Sequence, residues 1–344
     1  MKKIIPLLLF FSSIRSSRGE CMGSFQDITF SIAEFAHLAR IEKGEISKLE
    51  AAGIIDTFRR KQGNSDRKVL NLESVQRYFE AKRIGRHGDQ LLLPKHKVQM
   101  FYNVKGGTGK STLTAQFVMK ASMLGLRVLA IDLDGQGHLT VNLDVLDGHE
   151  RPTIYDVLIN DLPLQDAIMQ VAPKLDLVAA NLGLCNIEIP LNNKPRREYR
   201  LSEALEKIKH NYDLIVADTN PAASILNGSM LVASDLVNVV CATNPLSFHG
   251  MSLVMATIEH MEREFKRSLE VKIIPNMYDN REVISQEVLG ELRSQFEENC
   301  TKTVINRSAD LNEATKRRSS VWQVNTRGVA ASDIRHLADE LLAP

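Results

Sequence analysis

Over the last two-thirds of the chain, short apolar runs alternate with longer mixed segments. The runs are VQMFYNV, VLAIDLD, LDLVAA, DLIVADT, LVNVVCAT and VKIIPNM. Between them, segments with helical spacing begin near Lys110, Arg197, Ser224, Ser247 and Ile284. Strands that are apolar throughout are typical of a parallel sheet covered by helices on both faces. The pattern therefore predicts an α/β domain over residues 97–344.

The pattern before residue 97 is different. Helical segments SIAEFAHLA, EKGEISKLEAAGII and ESVQRYFEAKRI surround a polar stretch, FRRKQGNSDRKV. Two glycines and a proline, Gly85, Gly88 and Pro94, indicate a linker. We predict a small domain over 23–88 and a linker over 89–96.

The first 22 residues resemble neither domain. Two lysines precede an apolar run from Ile4 to Phe11, so a short secretory signal is one interpretation. Arg15 and Arg18 stand where a cleavage region is normally small and neutral. We prefer an extension over 1–22, with Met22 as an alternative start. No other run approaches the roughly 18 to 20 apolar residues of a membrane span, and we expect a cytoplasmic protein without membrane partners.

Composition narrows the function only slightly. The 43 basic and 42 acidic residues give a net charge of +1, so only local patches can indicate nucleic-acid binding. The 4 cysteines form no CxxC pair, which favours reduced thiols over a metal site. We expect Cys185 and Cys241 to lie in the core.

The stretch NVKGGTGKST lies between an apolar strand and a helix, where a phosphate-binding loop must lie. Backbone N–H groups of residues 106–111 would hold a β-phosphate, Lys110 would reach the β- and γ-oxygens, and Ser111 would hold Mg²⁺. The alternative is a glycine-rich turn with lysines present by chance. The loop also carries a second lysine, Lys105, for which one chain offers no obvious role.

Carboxylates follow two other predicted strands. Asp132 and Asp134 end VLAIDLD, and Asp218 ends DLIVADT. The carboxyl ends of neighbouring parallel strands meet at one crevice, so we expect these side chains beside the phosphate loop. There Asp218 would hold Mg²⁺ through water and Asp134 would orient the attacking water. Alone, each would be read equally well as a helix-capping residue.

Together, the motifs KGGTGKST, DLDGQG and DTNP resemble the deviant Walker A, A′ and B motifs of the ParA/MinD family, and they favour ParA-type partition ATPases. The resemblance implies ATP and Mg²⁺ as cofactors, a homodimer in which Lys105 reaches the partner's phosphates, and a ParB-like centromere-binding partner. It implies catalytic residues Lys105, Lys110, Asp134 and Asp218, metal residues Ser111, Asp132 and Asp218, and nucleotide contacts from Lys105, Gly106, Gly107, Thr108, Gly109, Lys110, Ser111 and Thr112. Pro275, Asn276 and Met277 are the candidates for adenine contacts, because IIPNMYD ends a strand near the crevice.

Two positions depart from the ParA pattern. Gly135 stands where proline is usual, and Asn220 stands where a proline often precedes Pro221. We expect activity to survive, with less rigid loops. The sister families fit less well, because the last segment, DIRHLADELLAP, lacks the basic helix of MinD. Cys185 and Cys241 also lack the flanks of iron-protein cluster ligands.

The N-terminal segment resembles the winged helix-turn-helix of MerR-type regulators. It has FSIAEFAHLA as first helix, EKGEISKLEAAGII as recognition helix and FRRKQGNSDRKV as wing. The predicted DNA contacts are Lys43, Ser47 and Lys48 on the recognition helix and Arg59, Arg60, Lys61, Arg67 and Lys68 on the wing. The alternative is a docking or dimerisation domain whose cations are only solvated.

The ATPase domain carries a second candidate DNA surface. ParA proteins bind DNA non-specifically through basic residues, and by position Arg281 matches one of them. The other usual position is Asp310 here, and we expect Lys316, Arg317 and Arg318 to supply the missing charge. Solvated cations at helix ends are again the alternative.

These features predict an ATP-dependent DNA-segregation ATPase, associated with the nucleoid, that dimerises on ATP, binds DNA and is reset by partner-stimulated hydrolysis. The protein would also be able to repress its own operon. One alternative is a sequence-specific repressor whose operator affinity is switched by nucleotide. A second alternative is an ATPase that positions a cargo other than DNA.

Overall fold

The computed structural model describes residues 24–62, 65–85, 94–95 and 97–343 of the chain. The predicted extension over 1–22 lies outside the described residues, as does most of the predicted linker. Among the described residues, no helix is long and apolar enough to cross a membrane.

The N-terminal unit combines short helices with a small antiparallel sheet. Its elements are β1 (Thr29–Ser31), α1 (Ile32–Ala39), α2 (Glu45–Ala51), β2 (Phe58–Gln62), β3 (Ser65–Asn71) and α3 (Leu72–Gly85), and the strand order is β1-β3-β2. Ser31 begins α1 because its side chain accepts from the backbone of Glu34, whose carboxylate accepts from Ser31 in return. The polar stretch between the helices forms the β2–β3 hairpin.

The large domain is built on a seven-stranded sheet of order β10-β9-β4-β8-β5-β7-β6. Its strands are β4 (Val98–Tyr102), β5 (Val128–Asp132), β6 (Ile168–Ala172), β7 (Leu175–Val178), β8 (Leu214–Asp218), β9 (Leu236–Ala242) and β10 (Glu270–Asn276). All neighbours are parallel except β6, which pairs antiparallel with β7. The six predicted strands are confirmed, and β6 is an edge strand that the apolar pattern missed because it is only partly buried.

Helices cover both faces of this sheet. They are α4 (Lys110–Met123), α5 (His138–Asn142), α6 (Ile154–Ile159), α7 (Glu188–Asn192), α8 (Arg200–Glu206), α9 (Ile225–Ala233), α10 (Pro245–His249), α11 (Met251–Phe265), α12 (Val283–Gln295), α13 (Ala309–Arg317), α14 (Val321–Val324) and α15 (Val329–Leu341). Two hydrophobic clusters form the core. The α/β architecture predicted for residues 97–344 is the one observed.

The N-terminal unit packs directly on the large domain, and one hydrophobic cluster contains residues of both. The buried side chain of Gln76 on α3 donates to Ser122 Oγ (3.1 Å) and to the Pro173 carbonyl (2.7 Å). Gly125 follows α4 with φ of +80°, and a Cβ there would lie 2.8 Å from the Gln76 carbonyl oxygen. Glycine is therefore required where the two units meet.

Candidate nucleotide-binding site

The phosphate loop joins β4 to α4, at the carboxyl edge of the sheet. Gly107 (φ +74°) and Gly109 (φ +88°) lie in the left-handed region that favours glycine. Gly109 is the residue before α4, and a Cβ there would clash with the side chain of Asn276. The loop is therefore held open by glycine, with the N-terminus of a 14-residue helix directed at it.

Lys110 is buried at the start of α4. Its ammonium donates to the Lys105 carbonyl at 3.3 Å. Burial lowers the pKa of Lys110, while Asp218 and Asp134 oppose that shift. A buried ammonium beside a helix N-terminus is suited to bind an anion of high charge.

Asp218 ends β8 directly opposite Asp132 on β5. Its Oδ1 lies 3.3 Å from the Thr114 hydroxyl, whereas its buried Oδ2 has no hydrogen-bond partner. Burial, followed by the charge of Asp132, raises the pKa of Asp218 to about 8, and Ser111 and Lys110 oppose the rise. An unpaired buried oxygen is costly, so this site fits a bound cation or a donor held by one.

Asp132 has a different environment. Its Oδ2 accepts from the Thr140 backbone N–H (2.8 Å) and hydroxyl (2.7 Å), and its Oδ1 accepts from the Asp134 backbone N–H (3.1 Å). Burial raises the pKa of Asp132 to about 6, although these hydrogen bonds oppose the rise. Because both oxygens are occupied, the geometry makes Asp132 an anchor of the 134–140 loop and favours Asp218 and Ser111 over it as metal residues.

Asp134 is half-buried at the start of that loop. Its Oδ1 accepts from the Gln136 backbone N–H at 3.0 Å, and the carboxylate is close enough to raise the pKa of Lys110. The next residue, Gly135, is buried against Cys185, so that a Cβ would lie 2.5 Å from Sγ and 3.1 Å from the backbone nitrogen. A proline would place a Cβ in the same space. Glycine stands here in place of the usual proline, and Cys185 takes up the space that the Cβ would need.

Asn220, which stands where a proline is often found, is also compensated by a nearby residue. The Asn227 side-chain amide on α9 donates to Asn220 Oδ1 (2.9 Å) and to the Ala222 carbonyl (2.7 Å). Hydrogen bonds therefore hold the loop after Asp218 where a prolyl ring would otherwise restrict it.

Lys105 is half-buried at the mouth of the loop. Its backbone N–H donates to Asn103 Oδ1 at 2.9 Å, and Asn103 Nδ2 donates to the Val240 carbonyl at 2.8 Å. Across the described residues, Lys105 takes part in none of the ion pairs. The backbone is fixed while the ammonium remains available.

The end of β10 packs against the phosphate loop. Asn276 Nδ2 donates to the Thr108 carbonyl at 2.7 Å. Pro275 is buried, and its carbonyl accepts from Ile305, whereas Met277 is exposed with φ of +56°. Of the three predicted adenine residues, Met277 is therefore the one whose side chain is open to a ligand.

Two polar partners in this site were not singled out from the sequence: Thr114, which contacts Asp218, and Thr140, which anchors Asp132. Asn276 was singled out as an adenine contact, but its side chain supports the phosphate loop. Thr140 had a local signal, since it lies in the same DLDGQGHLT segment as Asp132. The cysteines also differ, because Cys241 is buried as expected but Cys185 is exposed. No cluster of potential metal-binding His, Cys, Asp and Glu side chains occurs among the described residues.

The predicted DNA contacts of the N-terminal unit lie on its surface. Lys43, Ser47 and Lys48 are exposed at and before α2. The hairpin places Arg59 opposite Lys68 and Arg60 opposite Arg67. Lys68 also pairs with Glu50 at 2.6 Å.

The predicted contacts of the large domain are mostly paired within the chain. Arg281 donates twice to the Asp279 carboxylate, at 2.9 and 2.7 Å, and this contact lowers the pKa of Asp279 well below its usual range. Arg317 pairs with Glu313 at 2.5 Å, and Arg318 lies 3.8 Å from Asp144. These arginines would have to exchange a carboxylate for a phosphate in order to bind DNA.

A family model described as an AAA domain matches residues 96–271. The cell division protein PomZ of Myxococcus xanthus is 31% identical over 249 residues, covering 72% of this chain and 78% of PomZ. The chromosome partitioning protein ParA of Caulobacter vibrioides is 33% identical over 222 residues, covering 63% of this chain and 83% of that protein.

A solved structure of cobyrinic acid a,c-diamide synthase from Mycobacterium smegmatis, with an ATP analog and magnesium, has a similar fold. It superposes with a TM-score of 0.58 at 26% identity, covering 72% of this chain and 98% of the synthase.

Proposed function

Because this chain belongs to the ParA family of P-loop ATPases, we propose that it is a DNA-partition ATPase that cycles between an ATP-bound dimer and a released monomer. It is an ATPase with ATP and Mg²⁺ as cofactors. One observation carries the proposal: a buried lysine, Lys110, and a buried Asp218 oxygen without a hydrogen-bond partner occur together at an open glycine loop.

The residues present fit Mg²⁺-ATP. Lys110 and the 106–111 backbone would bind the phosphates, and Ser111 with Asp218 would hold the metal ion, in part through water. Magnesium would supply positive charge against the phosphates when bound. Asp134 would orient the attacking water, while Asp132 keeps the Asp134 loop in place through Thr140.

We assign Lys105 to the partner's nucleotide in an ATP-bound homodimer. Its fixed backbone and unpaired side chain support that role. Hydrolysis would separate the protomers, and a ParB-like partner would accelerate this step. Non-specific DNA binding by the dimer would then place the protein on the nucleoid.

The N-terminal unit supports an additional activity. Its two short helices, hairpin and exposed cations fit a winged helix-turn-helix, which would bind an operator and repress the protein's own operon. A repressor switched only by nucleotide is the second candidate function. Positioning of a cargo other than DNA is a third, since one relative is named a cell division protein.

The main test replaces Lys110 with Gln in the full chain. Lys302→Gln, at an exposed lysine, is the matched control. We expect Lys110→Gln to lose ATP hydrolysis and ATP-dependent DNA binding, measured by phosphate release and fluorescence anisotropy, while the control keeps both. If Lys110→Gln retained both activities, the proposed mechanism would be wrong.

A second test separates partition from repression. Asp134→Ala should accumulate as an ATP-bound dimer on DNA, because water is no longer oriented for attack. Nuclease footprinting of the full chain on its upstream DNA should show a discrete site that Lys43→Gln abolishes. If Asp134→Ala gives the same discrete footprint although it does not hydrolyse ATP, the repressor would be favoured.

A further inference from the structure

The junction between α1 and α15 carries more positive than negative charge. The Arg40 guanidinium, at the end of α1, lies 3.5 Å from the Asp339 carboxylate on α15. Arg335 precedes Asp339 by four residues, so the two side chains lie on the same face of α15. The Asp339 carboxylate is therefore paired with Arg40 of the N-terminal unit and influences the charge of Arg335 on its own helix.

Arg335 is incompletely satisfied by the protein. One terminal nitrogen donates to Ser332 Oγ at 3.3 Å, but its buried Nε has no hydrogen-bond partner. Burial and the charge of Arg40 lower the pKa of Arg335, while Asp339 opposes the shift. A guanidinium has five donors, and Arg335 is only half-buried, so an acceptor can reach the group from its solvent side and not through the buried Nε.

Further cations surround this pair. Arg327 is exposed in the turn before α15. Burial, followed by the charges of Arg335 and Arg327, lowers the pKa of His37 on α1. Lys120 of α4 is buried nearby, with its ammonium 5.4 Å from the ring centroids of Phe79 and Trp322, and burial lowers its pKa to about 7, so it adds less charge than the arginines. Arg40, Arg327 and Arg335 thus bring three positive charges to a junction at which the Asp339 carboxylate pairs with one of them.

The cations also continue along the chain into the predicted DNA-reading helix. Arg40 ends α1 in the left-handed conformation (φ 55°) and begins the turn that leads to α2, where Lys43 is exposed. These cations belong to several elements, and a ligand whose charge repeats along its length can meet more than one of them at once. A free phosphate would instead favour a closed cradle of donors.

We propose that Arg40, Arg327 and Arg335 form a binding site for DNA backbone phosphates that spans the N-terminal unit and the ATPase domain. The site rests on the proposed function, since it takes DNA as the ligand. Phosphate contacts fix the orientation of a protein on the duplex. The junction therefore sets how the N-terminal unit and the ATPase dimer lie on the same DNA.

The test measures DNA binding by the full chain with ATP and Mg²⁺. A fluorescein-labelled duplex of mixed sequence is titrated by anisotropy over a range of KCl concentrations. The variants are Arg335→Gln and Arg327→Gln, singly and combined. Arg307→Gln is the control for loss of one arginine charge, because Arg307 is exposed outside the junction and pairs with Glu282.

Each arginine that contacts a phosphate should contribute about 0.9 to the slope of log K against log salt. We therefore expect each single variant to lose about 0.9, which is about an 8-fold weaker affinity at 0.1 M salt, and the double variant to lose about 1.8. Asp339→Asn should bind DNA more tightly, because it removes the competing carboxylate. ATP hydrolysis without DNA should not change.

An unchanged slope in the double variant, with wild-type DNA binding intact, overturns the junction site and leaves the proposed function standing. Absence of ATP-dependent DNA binding in the wild type would instead refute the proposed function. If the double variant fails to fold, an Asp339→Asn affinity equal to wild type also overturns the site. In ADP-saturated protein, thermal stabilisation by inorganic phosphate that only Arg335→Gln abolishes, with no slope change, would assign the site to free phosphate and refute the DNA assignment.

Discussion

Gly135 and Cys185 form a matched pair beside the proposed catalytic loop, and a methyl group at Gly135 tests that pairing. Gly135→Ala places a Cβ 2.5 Å from Cys185 Sγ and 3.1 Å from its backbone nitrogen. The φ of Gly135 lies outside the left-handed region, so alanine is compatible with the backbone and the cost is steric. The loop is anchored at its other end by Thr140, so we expect the displacement to move Asp134.

The size of the effect follows from the contact. Favourable non-bonded separations are about 3.5 to 4.0 Å, so the methyl group and the sulfur must separate by about 1 Å. Overpacking of this kind costs about 1 to 3 kcal/mol. If the whole cost falls on the position of Asp134, kcat for ATP hydrolysis decreases by about 5- to 150-fold.

The assay is a double-mutant cycle on kcat. Cys185→Ala alone should be nearly neutral, because this thiol is exposed. Gly135→Ala with Cys185→Ala should recover most of the activity, since the 2.5 Å contact is removed and the contacts at 3.1 Å to the Cys185 nitrogen and 3.4 Å to the Asn181 carbonyl are milder. We expect a coupling energy of about 1 to 2 kcal/mol.

Gly290→Ala on α12 is the control, because a Cβ there meets no atom within 4 Å. It should leave kcat unchanged. Additive effects of the two mutations, to within about 0.5 kcal/mol, would show that the clash does not reach Asp134. A wild-type kcat in Gly135→Ala would lead to the same conclusion.

Four further outcomes follow from the site and the domain contact. Lys105→Ala should still bind ATP but no longer dimerise with it, and an undiminished dimer by light scattering would contradict the trans role. Because the pKa of Asp218 is raised to about 8, the folded protein loses stability as the pH rises from about 4 to about 8. At pH 8, Asp218→Asn should therefore melt at a higher temperature than the nucleotide-free wild type. This difference in melting temperature should become smaller as the pH is lowered. Asp132→Asn should lower the melting temperature instead, because it gives up acceptors for Thr140, and equal shifts in the two variants would refute this distinction. Gly125→Ala should cost about 1 to 3 kcal/mol of unfolding free energy, since it combines a positive φ with a clash at the Gln76 carbonyl, and a wild-type urea midpoint would argue against rigid docking of the N-terminal unit.

The sheet and the nucleotide crevice were predictable because their signals are local. Buried strands are recognisable from their apolar runs, and Asp132 and Asp218 come directly after such runs. Parallel topology then brings the strand ends together without further information. The ionic partner of Arg281 is local too, because Asp279 is only two residues away.

The finer assignments depended on pairs that are distant in the sequence. Nothing near Gly135 indicates that Cys185 occupies the space of a proline ring. Likewise, the sequence of α3 contains no sign that Gln76 will bind Ser122, 46 positions away. Such contacts are set by how helices dock, and docking depends on the shapes of both surfaces at once.

Helix α4 connects the nucleotide site with the contacts between residues that are distant in the sequence. Its first residue, Lys110, belongs to the nucleotide site, while Lys120 near its other end lies between Phe79 of the N-terminal unit and Trp322 of α14. In between, Gln116 donates to the Ser319 carbonyl and accepts from the Val321 backbone N–H, directly after the predicted DNA-binding cations of α13. Because α4 is packed along its length, we expect a shift at the phosphate loop to reach both candidate DNA surfaces together. If α4 binds the phosphates as proposed, the same helix also packs against the parts that would contact DNA, and the proposed nucleotide-dependent DNA binding would need no flexible connection between the domains.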